Sequence, residues 1–312
     1  MTMRRPSWRL TVALPLLMAT GCIGPGLLTD GSSVSFGTTS TGALRNGTTL
    51  PLRGDGYVVP KRWRERKRNY GTDELVELLV RAARRVSYQH RGSLLGVADL
   101  SPRGGGPTPE HRSHRSGRDA DLILYYTDLD GKPVRPDEMV NFDDKGLSVQ
   151  PASLPTSRPT MGTAQPTTAP SAASQPTDGP PVPTAPRKLD LDRNWALVRA
   201  LVLDPKVSVQ WIFLGRPIAK LLLTHARRSR EPAYIIERAA TVMQHAHSHM
   251  DHIHVRVFCA PSDRGLGCVD RGPSRWLKKE IKYVDIPPPS APEIMPTSLA
   301  LLSIRPLRLL GL

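Results

Sequence analysis

Two short stretches hold seven of the chain's nine histidines. The first, HRSHRSGRDAD at residues 111–121, carries His111, His114, Asp119 and Asp121. The second, HAHSHMDHIH at residues 245–254, carries His245, His247, His249, His252 and His254. Imidazole and carboxylate together suit a borderline divalent cation such as zinc. Three protein ligands, with the fourth position left to water, make a catalytic site in which that water's pKa falls to roughly 7. A neighbouring imidazole can then move protons. Taken singly, each cluster is also what an ordinary polar loop looks like.

Elements from distant parts of the chain must bring the two together. In HIHVRVF, residues 252–258, alternate residues share a face, so His252 and His254 point one way and Ile253, Val255 and Val257 the other. VSVQWIFL at 207–214 is a second strand, and 94–100 and 122–127 are further candidates. Residues 101–120 are polar and Gly-rich and read as a long loop carrying the first cluster. Leu75, Leu79, Ala82, Ala83 and Val86 fall on one face of a helix over 73–86, with Asp73 and Glu74 in its first turn, where they suit the dipole. A second helix is expected over 192–203, and Pro217 and Pro232 stand near the starts of two more. The fold class predicted is α+β: a small, mostly antiparallel sheet with surrounding helices, ordered from near Gly71 onward.

The first residues, MTMRRPSWRLTVALPLLMATGC, combine Arg4, Arg5 and Arg9 with a short apolar stretch, the pattern of a secretory signal over 1–21. Its end resembles a bacterial lipobox, which makes Cys22 a lipidation site. Cys259 and Cys268 then remain, nine residues apart; in an oxidising compartment they can close a small loop, or both can stay free. Residues 22–56, rich in Gly, Ser and Thr, read as a flexible tether. Residues 151–186 hold ten prolines and no aromatic, and read as a disordered insertion. The folded domain spans 57–282 around that insertion, at little entropic cost since loop closure scales slowly with length. A Pro-rich, basic tail occupies 283–312.

The formal net charge is +15, with six cations in KRWRERKR at 61–68. Such a balance suits polyanions (nucleic acid, anionic lipid, wall polymer), and such a run is as often a solvated basic face. Export, and the lack of stacking aromatics among the basic residues, argue against nucleic acid.

HRSHRSGRDAD followed by SHMDHIHVRVFC resembles the penicillin-insensitive murein endopeptidase family, zinc peptidases with a His-x6-Asp motif and a later His-x-His. SPRGGG at 101–106 and VQWIF at 209–213 extend the resemblance, which covers roughly residues 70–150 and 188–270. It implies one zinc per chain bound by His114, Asp121 and His254, with His252 as the catalytic histidine and His249 lining the site. It places His111 beside the metal and Asp119 behind a ligand or against substrate, and has Gly117 turning the chain back to Asp121. Cys259 stands where the family also has a cysteine. His245 and His247 extend the cluster beyond the motif.

The function implied is a zinc-dependent peptidoglycan hydrolase, foremost a murein endopeptidase cutting D-alanyl-diaminopimelyl crosslinks through zinc-activated water. Two alternatives stand beside it. One is a D-amino-acid carboxypeptidase or amidase on stem peptides. The other is a non-catalytic metal- or wall-binding lipoprotein, for which the His-X6-Asp spacing has no use. The expected location is the periplasm or outer membrane, held at the membrane by the N-terminal lipid; nothing in the sequence sets an oligomeric state.

Overall fold

A computed structural model describes residues 29–149 and 185–271. The signal segment, Cys22, nearly all of the Pro-rich stretch and the tail lie outside the described residues.

The chain begins with short strands β1 (Val34–Phe36), β2 (Ala43–Arg45), β3 (Thr48–Thr49), β4 (Arg53–Gly54) and β5 (Tyr57–Val58), then helix α1 (Lys61–Glu65) and β6 (Tyr70–Gly71). Helix α2 (Asp73–Gln89) is followed by β7 (Leu95–Gly96), β8 (Asp119–Ile123) and β9 (Tyr126–Thr127). Beyond residue 184 come β10 (Lys188–Leu189), α3 (Leu191–Val202), β11 (Val209–Leu214), α4 (Arg216–Arg228), α5 (Ala233–Val242), β12 (Met243–His245), β13 (His252–Val257) and α6 (Pro261–Arg264). Small sheets and packed helices make this the expected α+β fold.

The principal sheet has the order β12-β11-β13-β8, antiparallel except for the β11–β12 pair. Its register sets the site. His254 stands opposite Asp121 on one side and Phe213 on the other, and Arg256 stands opposite Asp119 and Trp211. The alternate residues Ile253, Val255 and Val257 are fully buried with Ala120 and Leu122. Helices from both halves cover that apolar face. In α2 the predicted stripe of Leu75, Leu79, Ala82, Ala83 and Val86 is buried, and Thr72 caps the helix by accepting from the Leu75 amide. Helix α3 is tied to the sheet by Asn194, whose amide group both accepts from and donates to the backbone of Tyr125. One hydrophobic core runs from Leu50 to Val257 across the Pro-rich stretch.

Two expectations need correction. Residues 29–56 are not a tether. They fold as β1–β4, bury Leu44 and Leu50, and hydrogen-bond into the domain through Ser33 and Ser35. Their glycines permit close approach rather than looseness: a Cβ at Gly42 would overlap the carbonyl oxygens of Phe36 and Thr38. The first cluster also does not lie wholly on a loop. Strand β8 starts at Asp119 and ends at Ile123, and β9 pairs with β10 instead. Polar Asp119 and Asp121 fit a buried strand because β13 supplies cations and imidazoles opposite them.

Candidate metal centre

His114, Asp119, Asp121 and His254 are each 7% exposed or less. The imidazoles and Asp119 are each turned by a definite partner. The His114 Nδ1–H donates to the Leu100 carbonyl at 2.9 Å, which turns Nε2 toward Asp121 Oδ1 at 3.3 Å. The His254 Nε2–H donates to Asp119 Oδ1 at 3.0 Å, which leaves Nδ1 facing the same Asp121 oxygen, also at 3.3 Å. His252 donates from Nδ1 to Asp251 at 2.6 Å, and its Nε2 lies 3.5 Å from Asp121 Oδ1. Buried His114 Nε2 and Asp121 Oδ1 have no hydrogen-bond partner. With the proton on His114 Nε2 displaced, these atoms are converging acceptors that a cation would satisfy, and imidazole with carboxylate is a donor set that zinc accepts.

The turn leading into β8 is held at several points. His114 itself adopts φ 64°, a left-handed conformation uncommon for a non-glycine residue. Its amide donates to Asp119 Oδ2 and its carbonyl accepts from the Ser101 hydroxyl. Gly117, expected to permit the turn back toward Asp121, has φ 77° and its amide donates to the same hydroxyl. Asp119 therefore fixes one site histidine through its ring and another through its backbone. Arg256 closes the arrangement, donating from Nε to Asp119 Oδ1 at 2.6 Å with its guanidinium 5.2 Å from the Phe213 ring centre.

Burial would raise the Asp119 carboxyl, but Arg256 and then His254 hold it well below the usual carboxylate range. Burial pulls His114 down more than any single group raises it, but Asp121, Asp119 and the Leu100 carbonyl together lift that imidazole to about 9. In the metal-free protein Nε2 therefore carries a proton toward Asp121 that a cation would displace. At His252 burial again pulls the imidazole down, but Asp121 and Asp251 together raise it above its ordinary value. At His249 the Asp121 charge is too weak to compensate: burial and the nearby His252 and His254 push it down to about 3. Its ring sits 4.6 Å from that of His252.

The structure thus gathers His111, His114, Asp119, Asp121, His249, His252 and His254 at one place. Among the described residues, His111, His114 and Asp121 offer three ligand atoms that all lie within 4.8 Å of one another. His111 approaches from the other side, its Nδ1 3.7 Å from Asp121 Oδ2. His245 and His247 pair with each other, rings 4.5 Å apart, and His245 Nδ1 accepts from the Arg216 amide. Cys259 and Cys268 are joined by a disulfide. Sequence reasoning missed Asp99, Phe213 and Arg256. Arg256 was findable, since in HIHVR it continues the alternation that set His252 and His254 on one face.

A buried carboxylate and imidazoles converging on an antiparallel sheet form the kind of centre that metal-dependent hydrolases use. Comparison with known proteins is more specific. Residues 35–176 match the family model of penicillin-insensitive murein endopeptidase, which bears out the resemblance carried by the two histidine motifs. His252 and His254 lie beyond the matched residues. Curated proteins named penicillin-insensitive murein endopeptidase, from Escherichia coli O1:K1 / APEC and from Escherichia coli strain SMS-3-5 / SECEC, are 34% identical over 95 residues, 30% of this chain and 34% of theirs. The chain spans about a third of the length of the curated relatives it matches. No helix among the described residues is long and apolar enough to cross a membrane.

Proposed function

We propose that this protein is an exported zinc-dependent peptidoglycan hydrolase, an endopeptidase that cuts the D-alanyl-diaminopimelyl crosslink. The observation that carries the reading is the convergence of His114 Nε2 and His254 Nδ1, each turned inward by a partner behind its ring, on the buried Asp121 Oδ1. These three are the zinc ligands in this reading. They are preferred to the triple with His111 because both imidazoles address one oxygen of Asp121, whereas His111 faces the other. When bound, zinc supplies the Lewis acidity that makes water a nucleophile near neutral pH.

The chain's own residues supply the rest. His252 Nε2 takes a proton from the attacking water and returns it to the leaving amine, while Asp251 holds the ring by its Nδ1. His249, kept unprotonated beside it, offers a neutral hydrogen-bonding ring to the peptide. The match to the murein endopeptidase family model supports peptidoglycan as substrate. The signal pattern and Cys22 place the protein at a membrane, as a lipoprotein of the periplasm or outer membrane.

The test is digestion of crosslinked dimeric muropeptides by the zinc-loaded chain, with products identified by mass. Monomeric products that vanish with a chelator and return with zinc are expected, and Asp121→Ala or His254→Ala should abolish them in a folded protein. Full activity in Asp121→Ala would remove the proposed site. One bound zinc without cleavage would point to carboxypeptidase or amidase substrates. Several loosely held metals without turnover would point to a binding lipoprotein.

A further inference from the structure

The basic run at 61–68 was open to two readings, a docking surface for a polyanion or a solvated face. The structure turns much of it inward. Arg62 lies over the Trp63 ring, and Arg64 Nε donates to the Val59 carbonyl. Arg66 and Arg68 reach a single carboxylate, Asp99, at 2.6 and 3.6 Å. The Asp99 side chain is only 1% exposed. The Asp99 oxygen that meets both guanidinium groups also meets His111 Nε2 at 2.8 Å. A carboxylate flanked by two guanidinium groups accepts, so His111 Nε2 carries the hydrogen and Nδ1 presents its lone pair to the Asp121 side of the centre. A carboxylate behind an imidazole, fixing which nitrogen faces inward, is the arrangement found behind metal-binding histidines.

We propose that Arg66 and Asp99 form a positioning relay for the metal centre, acting through His111. Arg66 fixes Asp99; Asp99 fixes the tautomer and orientation of His111; His111 then offers a further nitrogen at the edge of the His114–Asp121 pair. Arg66 and Asp99 act through His111, whose ring lies between Asp99 and Asp121. The consequence for metal affinity rests on the zinc reading above, whereas the state of the His111 ring does not depend on it.

The experiment compares Asp99→Asn, Arg66→Ala and Arg66→Lys in the full chain, each also in a His111→Ala background. Zinc affinity is read by competition with a chromophoric chelator, and the histidine ring nitrogens of the metal-free protein by nitrogen-15 NMR. Asp99→Asn and Arg66→Ala are expected to weaken zinc by about ten- to a hundredfold, Arg66→Lys to restore most of it, and all three to lose their effect when His111 is alanine. The His111 ring should leave its Nε2–H form in Asp99→Asn. That variant is close to isosteric, so it carries the test if Arg66→Ala does not fold. Equal losses in the His111→Ala background, or an unchanged His111 ring, would overturn the relay. A chain with this coupling that cleaves no muropeptide would sink the endopeptidase reading and leave the relay standing.

Discussion

Asp119 accepts the Nε2–H of His254 at 3.0 Å across the β8–β13 pair, and so decides which nitrogen of that ring faces Asp121. The same carboxylate receives the Arg256 guanidinium, and both side chains are nearly sealed from solvent, 0% and 7% exposed. Asp119→Ala is therefore expected to do two things. Zinc affinity should fall by about ten- to a hundredfold as the His254 ring loses its orientation. Stability should fall by about 3–5 kcal/mol, because Arg256 is left as a buried charge without its partner. Chelator competition and urea unfolding on one preparation measure both.

Removing the metal should destabilise the fold without abolishing it, since the hydrophobic core is formed by other residues. A ligand that binds only the folded state at about a hundredfold above its Kd adds about 2.7 kcal/mol. For a domain of this size each kcal/mol moves Tm by about 2–4 °C. Scanning calorimetry with zinc and with a chelator should show that difference, and His254→Ala should abolish it.

Much of this arrangement was legible beforehand, for a reason that also marks where legibility stopped. The alternation in HIHVRVF sorts apolar from ligand-bearing residues because one face meets a core and the other meets the site. Residues 101–120 gave no such contrast. Asp119 and Asp121 look like loop residues until their partners on β13 are in place, and those partners are more than a hundred residues away. The segment 29–56 misled for a related reason. Backbone pairing and a few buried side chains such as Leu44 and Leu50 hold it, and backbone pairing leaves little trace in composition.

The pH dependence of stability should show an alkaline limb. Burial raises the phenol of Tyr125 above its ordinary value, and does the same for Tyr126. A group whose folded pKa is raised contributes its full stability below the unfolded value, and loses it as pH rises toward the folded one. Stability should thus be insensitive to these phenols up to about pH 10, then fall by about 1.4 kcal/mol per pH unit for each. The Tyr125 hydroxyl is buried with no hydrogen-bond partner. Tyr125→Phe should be neutral or stabilising at pH 7 and should lose one phenol's share of the alkaline fall, as urea unfolding between pH 8 and pH 11 would show.

Reduction of the Cys259–Cys268 disulfide should lower stability by about 2–4 kcal/mol. The loop it closes leads to Asp270, which accepts from Arg118 and from the Cys259 amide. Arg118, almost fully buried, also donates to Ser35 and to the carbonyls of Val257 and Val269. It thereby pins β1 and the end of β13 to the start of β8. Cys268→Ser should reproduce the shift seen with a reductant in thermal melts, and the reductant should add nothing further to that variant.

The pairing of β8 with β13 has a consequence for biogenesis. A chain made from its N-terminus delivers His114 and Asp121 first, and His254 follows Asp119 by 135 positions. Neither half holds the constellation alone. On the proposed ligand set of His114, Asp121 and His254, metal capture would therefore be among the last events of maturation, and a chain truncated before β13 would be inert.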